Sequence, residues 1–166
     1  MFIKIEQSSR NSQSNEKLYL AYKEKGLTLG SVESMTGGLF SAKLTEIPGV
    51  SAVFKGGIVT YSAEEKIALV GVKKETIEKY GVVSAEVAKE MAELGRKVLN
   101  VDVCVSVTGN AGPTCEPGGK PAGCFYVGIS SKKGTSAKEY LKSQKRNRVR
   151  NSAVLALRDL AYLEII

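Results

Sequence analysis

A serine in a small turn, a lysine and a tyrosine are the residues of this chain best suited to break a bond. Ser34 stands in Glu33-Ser34-Met35-Thr36-Gly37-Gly38, directly after the largely apolar run Leu27 to Val32. That run reads as a strand, and a helix starts from the turn. Such a junction exposes a hydroxyl at the end of a sheet and aims free backbone N–H groups at whatever binds there. Gly37 and Gly38 let a ligand approach the backbone closely. A small polar turn is also an ordinary strand-to-helix connection, so the chemistry depends on what surrounds it.

A serine is inert without a base, and the chain contains no histidine. Every Ser-His-Asp or Cys-His nucleophile scheme is thereby excluded, as are histidine-ligated metals. Lys, Asp, Glu or Tyr must then carry the proton. Lys66 is the best substitute: it lies about one helical turn beyond Tyr61, on the element that follows the strand Gly57-Ile58-Val59-Thr60-Tyr61. An amine near its reference pKa of about 10.4 is protonated at neutral pH, so Lys66 must be desolvated or set among cations to act. Tyr61 could relay a proton or hold the lysine. The bland alternative is a surface Lys66 and a Tyr61 packed at a strand end.

Thr108-Gly109 would bind polar groups of a substrate or donate N–H bonds to a developing oxyanion. Arg146, Arg148 and Arg150, with Lys142 and Lys145, suit bidentate phosphate binding or form a solvated face. A net charge of +7 suits an anionic partner. Nucleic-acid binding rests on that charge alone and is not the expectation. Cys104, Cys115 and Cys124 are odd in number and form no C-x-x-C pair, which disfavours a disulfide framework and a zinc site. Neither G-x-G-x-x-G nor G-x-x-x-x-G-K-[ST] occurs, so no NAD or ATP cofactor is proposed.

These groups need elements to position them. Residues 1–15 begin with a β-like run, Phe2 to Ile5, and become a polar, flexible lead-in; residues 16–166 read as a single domain. Asn15 can cap a helix to about Lys25, stopped by Gly26. Helices are expected from Thr36 to about Glu46, from Ser62 to Val70, from Lys74 to Tyr80, from Ala85 to Leu99 under a Ser84 cap, and, after the basic cluster that ends at Arg150, to about Leu163. Strands are expected at Leu27 to Val32, Gly56 to Tyr61 and Val101 to Val107. Gly123 to Ser130 and Ser136 to Leu141 make a hairpin around Lys132-Lys133-Gly134-Thr135. The alternation, with one hairpin, implies an α/β sandwich with a mixed sheet. If the strands run parallel, the junctions Ser34 to Gly38, Tyr61 to Lys66 and Thr108 to Pro113 converge on one rim, where α/β sheets bind ligands.

No apolar run approaches the roughly 18 residues of a membrane span. The segment Met1 to Glu6 lacks the features of a signal peptide, so the cytoplasm is the expected address. Self-association is expected from the compact domain and its glycine-rich rim.

The motifs as a set resemble the CinA C-terminal domain family. The likeness is carried by Glu33-Ser34-Met35-Thr36-Gly37-Gly38, Pro48-Gly49 with Ser51-Ala52, and Gly57-Ile58-Val59-Thr60-Tyr61-Ser62 with Lys66. It continues through Gly81 with Val83-Ser84, Thr108-Gly109-Asn110-Ala111-Gly112-Pro113, and Lys120-Pro121 with Gly123. It runs from about residue 16 to 162. The resemblance implies a three-layer α/β/α sandwich with a mixed, mostly parallel sheet. It also implies nicotinamide-nucleotide amidohydrolase (NMN deamidase) activity: a small pyridine mononucleotide, nicotinamide mononucleotide, is converted to nicotinate mononucleotide and ammonia in pyridine nucleotide salvage.

On this likeness Ser34 falls on the family's nucleophile, Lys66 and Tyr61 on its lysine and tyrosine, and Thr108-Gly109 on its threonine-glycine. Arg146 and Arg150 fall on its late arginines, where phosphate contact is implied. Backbone N–H groups around Thr36, Gly37 and Gly38 would hold the oxyanion. Met35 stands where the family has cysteine, Asn110 where isoleucine is common, and Ser143-Gln144-Lys145 where Gly-Asp is usual. A stand-alone form without the larger N-terminal nucleotide-processing domain is expected. The rival reading is a non-catalytic nucleotide- or partner-binding module on the same fold.

Overall fold

A computed structural model describes residues 15–115 and 117–166. The lead-in expected over residues 1–15, with its β-like run, lies outside the described residues except for Asn15. Helix α1 covers residues 15–25 of the described chain. In chain order there follow β1 (Leu29–Glu33), α2 (Leu39–Thr45), β2 (Phe54–Val59), α3 (Ala63–Glu65) running into a π-helical turn (Lys66–Val70), α4 (Lys74–Tyr80), α5 (Ala85–Leu99), β3 (Val103–Gly109), β4 (Cys124–Ser131), β5 (Gly134–Leu141) and α6 (Arg146–Ile165).

The five strands form one sheet in the order β2-β1-β3-β4-β5. β1 pairs in parallel with β2 and β3, whereas β4 runs antiparallel to both β3 and β5. Only β4 opposes the common direction, so the sheet is mixed as expected. Every residue of β1 and β4 is buried, and so is all of β3 up to Gly109. The side chains alternate between two helical layers. Val103, Val105, Val107, Phe125, Val127 and Ile129 pack with Leu18 and Tyr22 of α1, Phe40 and Leu44 of α2, and Val149, Ala153 and Leu157 of α6. On the other face Val32 and Cys104 meet Val87 and Met91 of α5.

Sequence sets how closely α5 lies. At Gly128 of β4 a Cβ would stand 2.3 Å from the Ala88 carbonyl oxygen, and Ser106 donates its hydroxyl to that same oxygen at 2.6 Å. No side chain fits at Gly128 unless α5 moves. Ser84 caps α5 as expected, its Oγ accepting from the Val87 N–H at 3.3 Å.

Three expectations are corrected in detail. Helix α2 begins at Leu39 rather than Thr36, because Gly37 and Gly38 adopt left-handed backbone (φ 61° and 92°) and extend the turn. Thr108-Gly109 does not lead into a helix: the chain passes through the 110–123 loop into antiparallel β4. The arginine cluster does not precede the last helix, since Arg146, Arg148 and Arg150 lie within the first five residues of α6.

The convergence of the three junctions holds. Glu33 at the end of β1 pairs with Val59 on one side and Val107 on the other. Ser34 and Thr60, just past their strands, and Thr108, near the end of β3, therefore lie side by side at one end of the sheet.

Candidate active site

Beyond these three strand ends lies a cleft of about 1180 Å³, lined among others by Ser34, Met35, Tyr61, Lys66, Thr108 and Arg146. A smaller hollow of about 380 Å³ at the far end of the sheet holds none of the candidate residues. Its acids have partners there: Asp102 accepts from Thr28, and Glu164 from Ser131.

Ser34 is almost fully buried, and its N–H donates to the Val107 carbonyl at 3.1 Å, which fixes it to the β3 end. Lys66 is 1% exposed and enters from the π-helical turn, an irregularity that recurs at functional sites. Ser62 starts this element by accepting the Glu65 N–H at 3.2 Å. The Lys66 Nζ lies 2.9 Å from Ser34 Oγ, 2.8 Å from the Thr60 carbonyl and 3.4 Å from the Ser62 carbonyl. An ammonium has three donors, and these three oxygens take them. Once the amine is neutral, the two carbonyls keep two N–H bonds and the lone pair is left facing Ser34 Oγ. Burial pulls the pKa of Lys66 from 10.5 down to about 8, and the Glu64 carboxylate opposes that only in part. The structure thus joins the predicted nucleophile to the predicted base.

Tyr61 is placed differently from the expectation. It is 61% exposed on the cleft wall, and its hydroxyl accepts from Arg146 Nη2 at 3.0 Å. No hydrogen bond links it to Lys66 or Ser34 among the described residues. Arg146 also donates to the Gly112 carbonyl at 2.8 Å, tying the wall to the 110–123 loop.

The start of α2 beyond the glycine turn is satisfied from within the chain. The Glu33 carboxylate is fully buried and accepts from the N–H groups of Phe40 (3.0 Å) and Ser41 (2.9 Å) and from the Ser41 hydroxyl (2.7 Å). It neutralises the positive end of α2, which is therefore closed to a substrate anion. The Gly37 N–H donates to the Ser34 carbonyl at 2.9 Å, and neither Gly37, Gly38 nor Thr36 lines the cleft. Among the described residues, the N–H groups of Met35 and Thr36 carry no hydrogen bond. Sequence reasoning missed Glu33 because its donors lie across the turn, outside the usual capping spacing.

The remaining candidates divide. Thr108 gives its hydroxyl to the Val82 carbonyl at 2.8 Å, leaving that side chain no donor for a substrate. At Gly109 a Cβ would stand 2.6 Å from the Met35 Sδ, so this glycine is needed where Met35 packs. Arg150 is absent from the cleft wall: it donates to the Met35 carbonyl at 3.3 Å and the Thr36 carbonyl at 2.8 Å, clamping α6 to the nucleophile turn. Of the two expected phosphate arginines, only Arg146 faces the cleft.

A family model described as the CinA C-terminal domain matches residues 11–163. The chain belongs to the CinA C-terminal domain family. It is 42% identical, over 95% of its length, to a protein of Acetivibrio thermocellus named as competence-damage inducible, of which it covers 39%. A like-named protein of Alkaliphilus oremlandii is 47% identical over 86% of the chain, and 35% of that protein is covered. The chain thus spans about two-fifths or less of these curated relatives. Among solved structures, it is similar to the competence/damage inducible protein CihA from Agrobacterium tumefaciens, at 30% identity and a TM-score of 0.86, covering 90% of this chain and 92% of that one. A competence or damage-inducible protein from Enterobacter asburiae superposes with a TM-score of 0.90 at 27% identity, covering 94% and 98%. The CinA fold is shared throughout. Among the described residues no helix is long and apolar enough to cross a membrane, and no group of three or more acidic or cysteine side chains could hold a metal ion.

Proposed function

We propose that this CinA-family chain is an amidohydrolase that converts nicotinamide mononucleotide to nicotinate mononucleotide and ammonia. The observation that carries the reading is the buried Lys66 Nζ at 2.9 Å from Ser34 Oγ. Neutral Lys66 takes the hydroxyl proton as Ser34 Oγ bonds to the carboxamide carbon. The unbonded N–H of Met35, the turn residue beside Ser34 that lines the cleft, is the donor for the resulting oxyanion. Collapse breaks the C–N bond, and the Lys66 ammonium returns its proton to the leaving nitrogen as ammonia. Water then gives a proton to Lys66 and attacks the Ser34 ester. The carboxylate leaves and the serine regains its proton.

Apart from the base, the cleft's charges agree with an anionic substrate: Lys120 and Arg146 against Glu64 among the lining residues described. The exposed ring of Tyr61 on the wall offers a planar face to a pyridinium, whose positive charge favours an aromatic neighbour. Ammonia release from nicotinamide mononucleotide, with a chelator present, tests the substrate and the reaction together. Turnover by the folded wild type is expected, and none at any substrate concentration would overturn the reading.

A further inference from the structure

With Arg150 turned away from the cleft, Arg146 lacks the second cation that phosphate recognition calls for. Lys120 supplies one. It is exposed, it lines the same cleft, and its Nζ lies over the Tyr126 ring, 5.5 Å from the centroid. Tyr126 is itself buried in β4, so the platform beneath the ammonium is rigid. The hydroxyl of Tyr126 foremost, with the Glu139 carboxylate a lesser influence, holds the pKa of Lys120 above the ordinary lysine value. Lys120 is thus cationic throughout the neutral range.

Its backbone is fixed as well. The Asn110 side chain donates from Nδ2 to the Lys120 carbonyl at 3.3 Å and accepts the Gly112 N–H on Oδ1 at 2.9 Å. The main chain of Asn110 closes the base of the same loop, its N–H on the Cys124 carbonyl at 2.8 Å and its carbonyl on the Gly123 N–H at 2.7 Å. Arg146 holds the loop from the other side through Gly112. Asn110, which departs from the family's usual residue, is among the described residues the one side chain that ties the first turn of the loop to Lys120.

We propose that Lys120 is the second anion anchor of the cleft, seated on Tyr126 and positioned by Asn110, and that it shares the substrate's phosphomonoester with Arg146. This rests on the nucleotide reading of the site. The phosphate oxygens would be held by two cations on separate elements, the loop and α6, so that binding the nucleotide draws the two together.

The test compares a pyridine mononucleotide with its unphosphorylated nucleoside. In Lys120→Gln the ratio of kcat/KM for nucleotide over nucleoside should fall about 10- to 100-fold, the range of one charge-assisted contact. The loss should appear in KM, with kcat within about threefold, and Lys120→Arg should recover most of it. An unchanged ratio in a variant that still turns over would overturn the assignment and leave the amidohydrolase intact. Calorimetric titration with nicotinate mononucleotide separates the two failures. If the wild type binds without turning over, the same ratio is read from binding constants. A wild type that neither binds nor turns over would overturn both readings together.

Discussion

Lys66→Met should lower ammonia release by about a thousandfold or more and, at neutral pH, make the protein more stable. The activity loss follows from geometry: no other base lies within hydrogen-bonding distance of Ser34 Oγ among the described residues. General-base catalysis is typically worth about 10²–10⁴-fold, and here the same group also protonates the leaving nitrogen. The stability gain follows from burial. A lysine drawn from 10.5 down to about 8 by desolvation costs the folded state about 3 kcal/mol at neutral pH. Methionine keeps the aliphatic volume and removes the charge. It leaves the Thr60 carbonyl without its 2.8 Å partner, which returns about 1–3 kcal/mol of the gain. A net rise of about 1 kcal/mol is expected, a few degrees in Tm for a chain of this size. Thermal unfolding beside the activity assay checks both. A variant that is inactive and also clearly less stable would mean that Lys66 is chiefly a structural strut.

The second large effect is on pH. If neutral Lys66 is the base, kcat/KM should climb about tenfold per unit well below pH 8 and level off above it, a span of about 100-fold between pH 6 and the plateau. Stability moves in the same direction. The folded pKa of Lys66 is depressed below its unfolded value of 10.5, so the unfolded chain binds the proton more readily between about pH 8 and 10.5. The cost of burying the ammonium is therefore fully present below pH 8. It fades as pH rises towards 10.5. The advantage of Lys66→Met should shrink over that window. A flat rate profile between pH 6 and 9 would contradict the base assignment.

Much of this site was legible in the residues. The missing histidine pointed to a lysine base, and the parallel strand ends placed that lysine beside Ser34. Helices α4 and α5 matched their expected bounds because Ser84, Gly81 and the apolar face of α5 mark their limits locally. What stayed hidden depends on contacts distant in sequence. The clamp from Arg150 to the Met35 and Thr36 carbonyls spans more than a hundred residues, and charge pattern alone cannot tell it from a phosphate ligand. The Thr108 hydroxyl suits a substrate's polar group by type, yet it is spent on the Val82 carbonyl, a partner 26 residues away. Glu33 belongs to the motif, yet its role at the start of α2 needs the left-handed turn that Gly37 and Gly38 create. Asn110 and Lys120 sat in a loop without periodicity, where sequence pattern says little about side-chain position.

The central claim is that Ser34, activated by Lys66, forms an ester with the substrate, and capture of that ester by hydroxylamine tests it most directly. With nicotinamide mononucleotide and rising hydroxylamine, the hydroxamate should replace nicotinate mononucleotide as product while ammonia release by the wild type keeps its rate. Ser34→Ala should give neither. Ammonia release that persists in Ser34→Ala, with carboxylate as its only product, would contradict the covalent mechanism and point to direct attack by water.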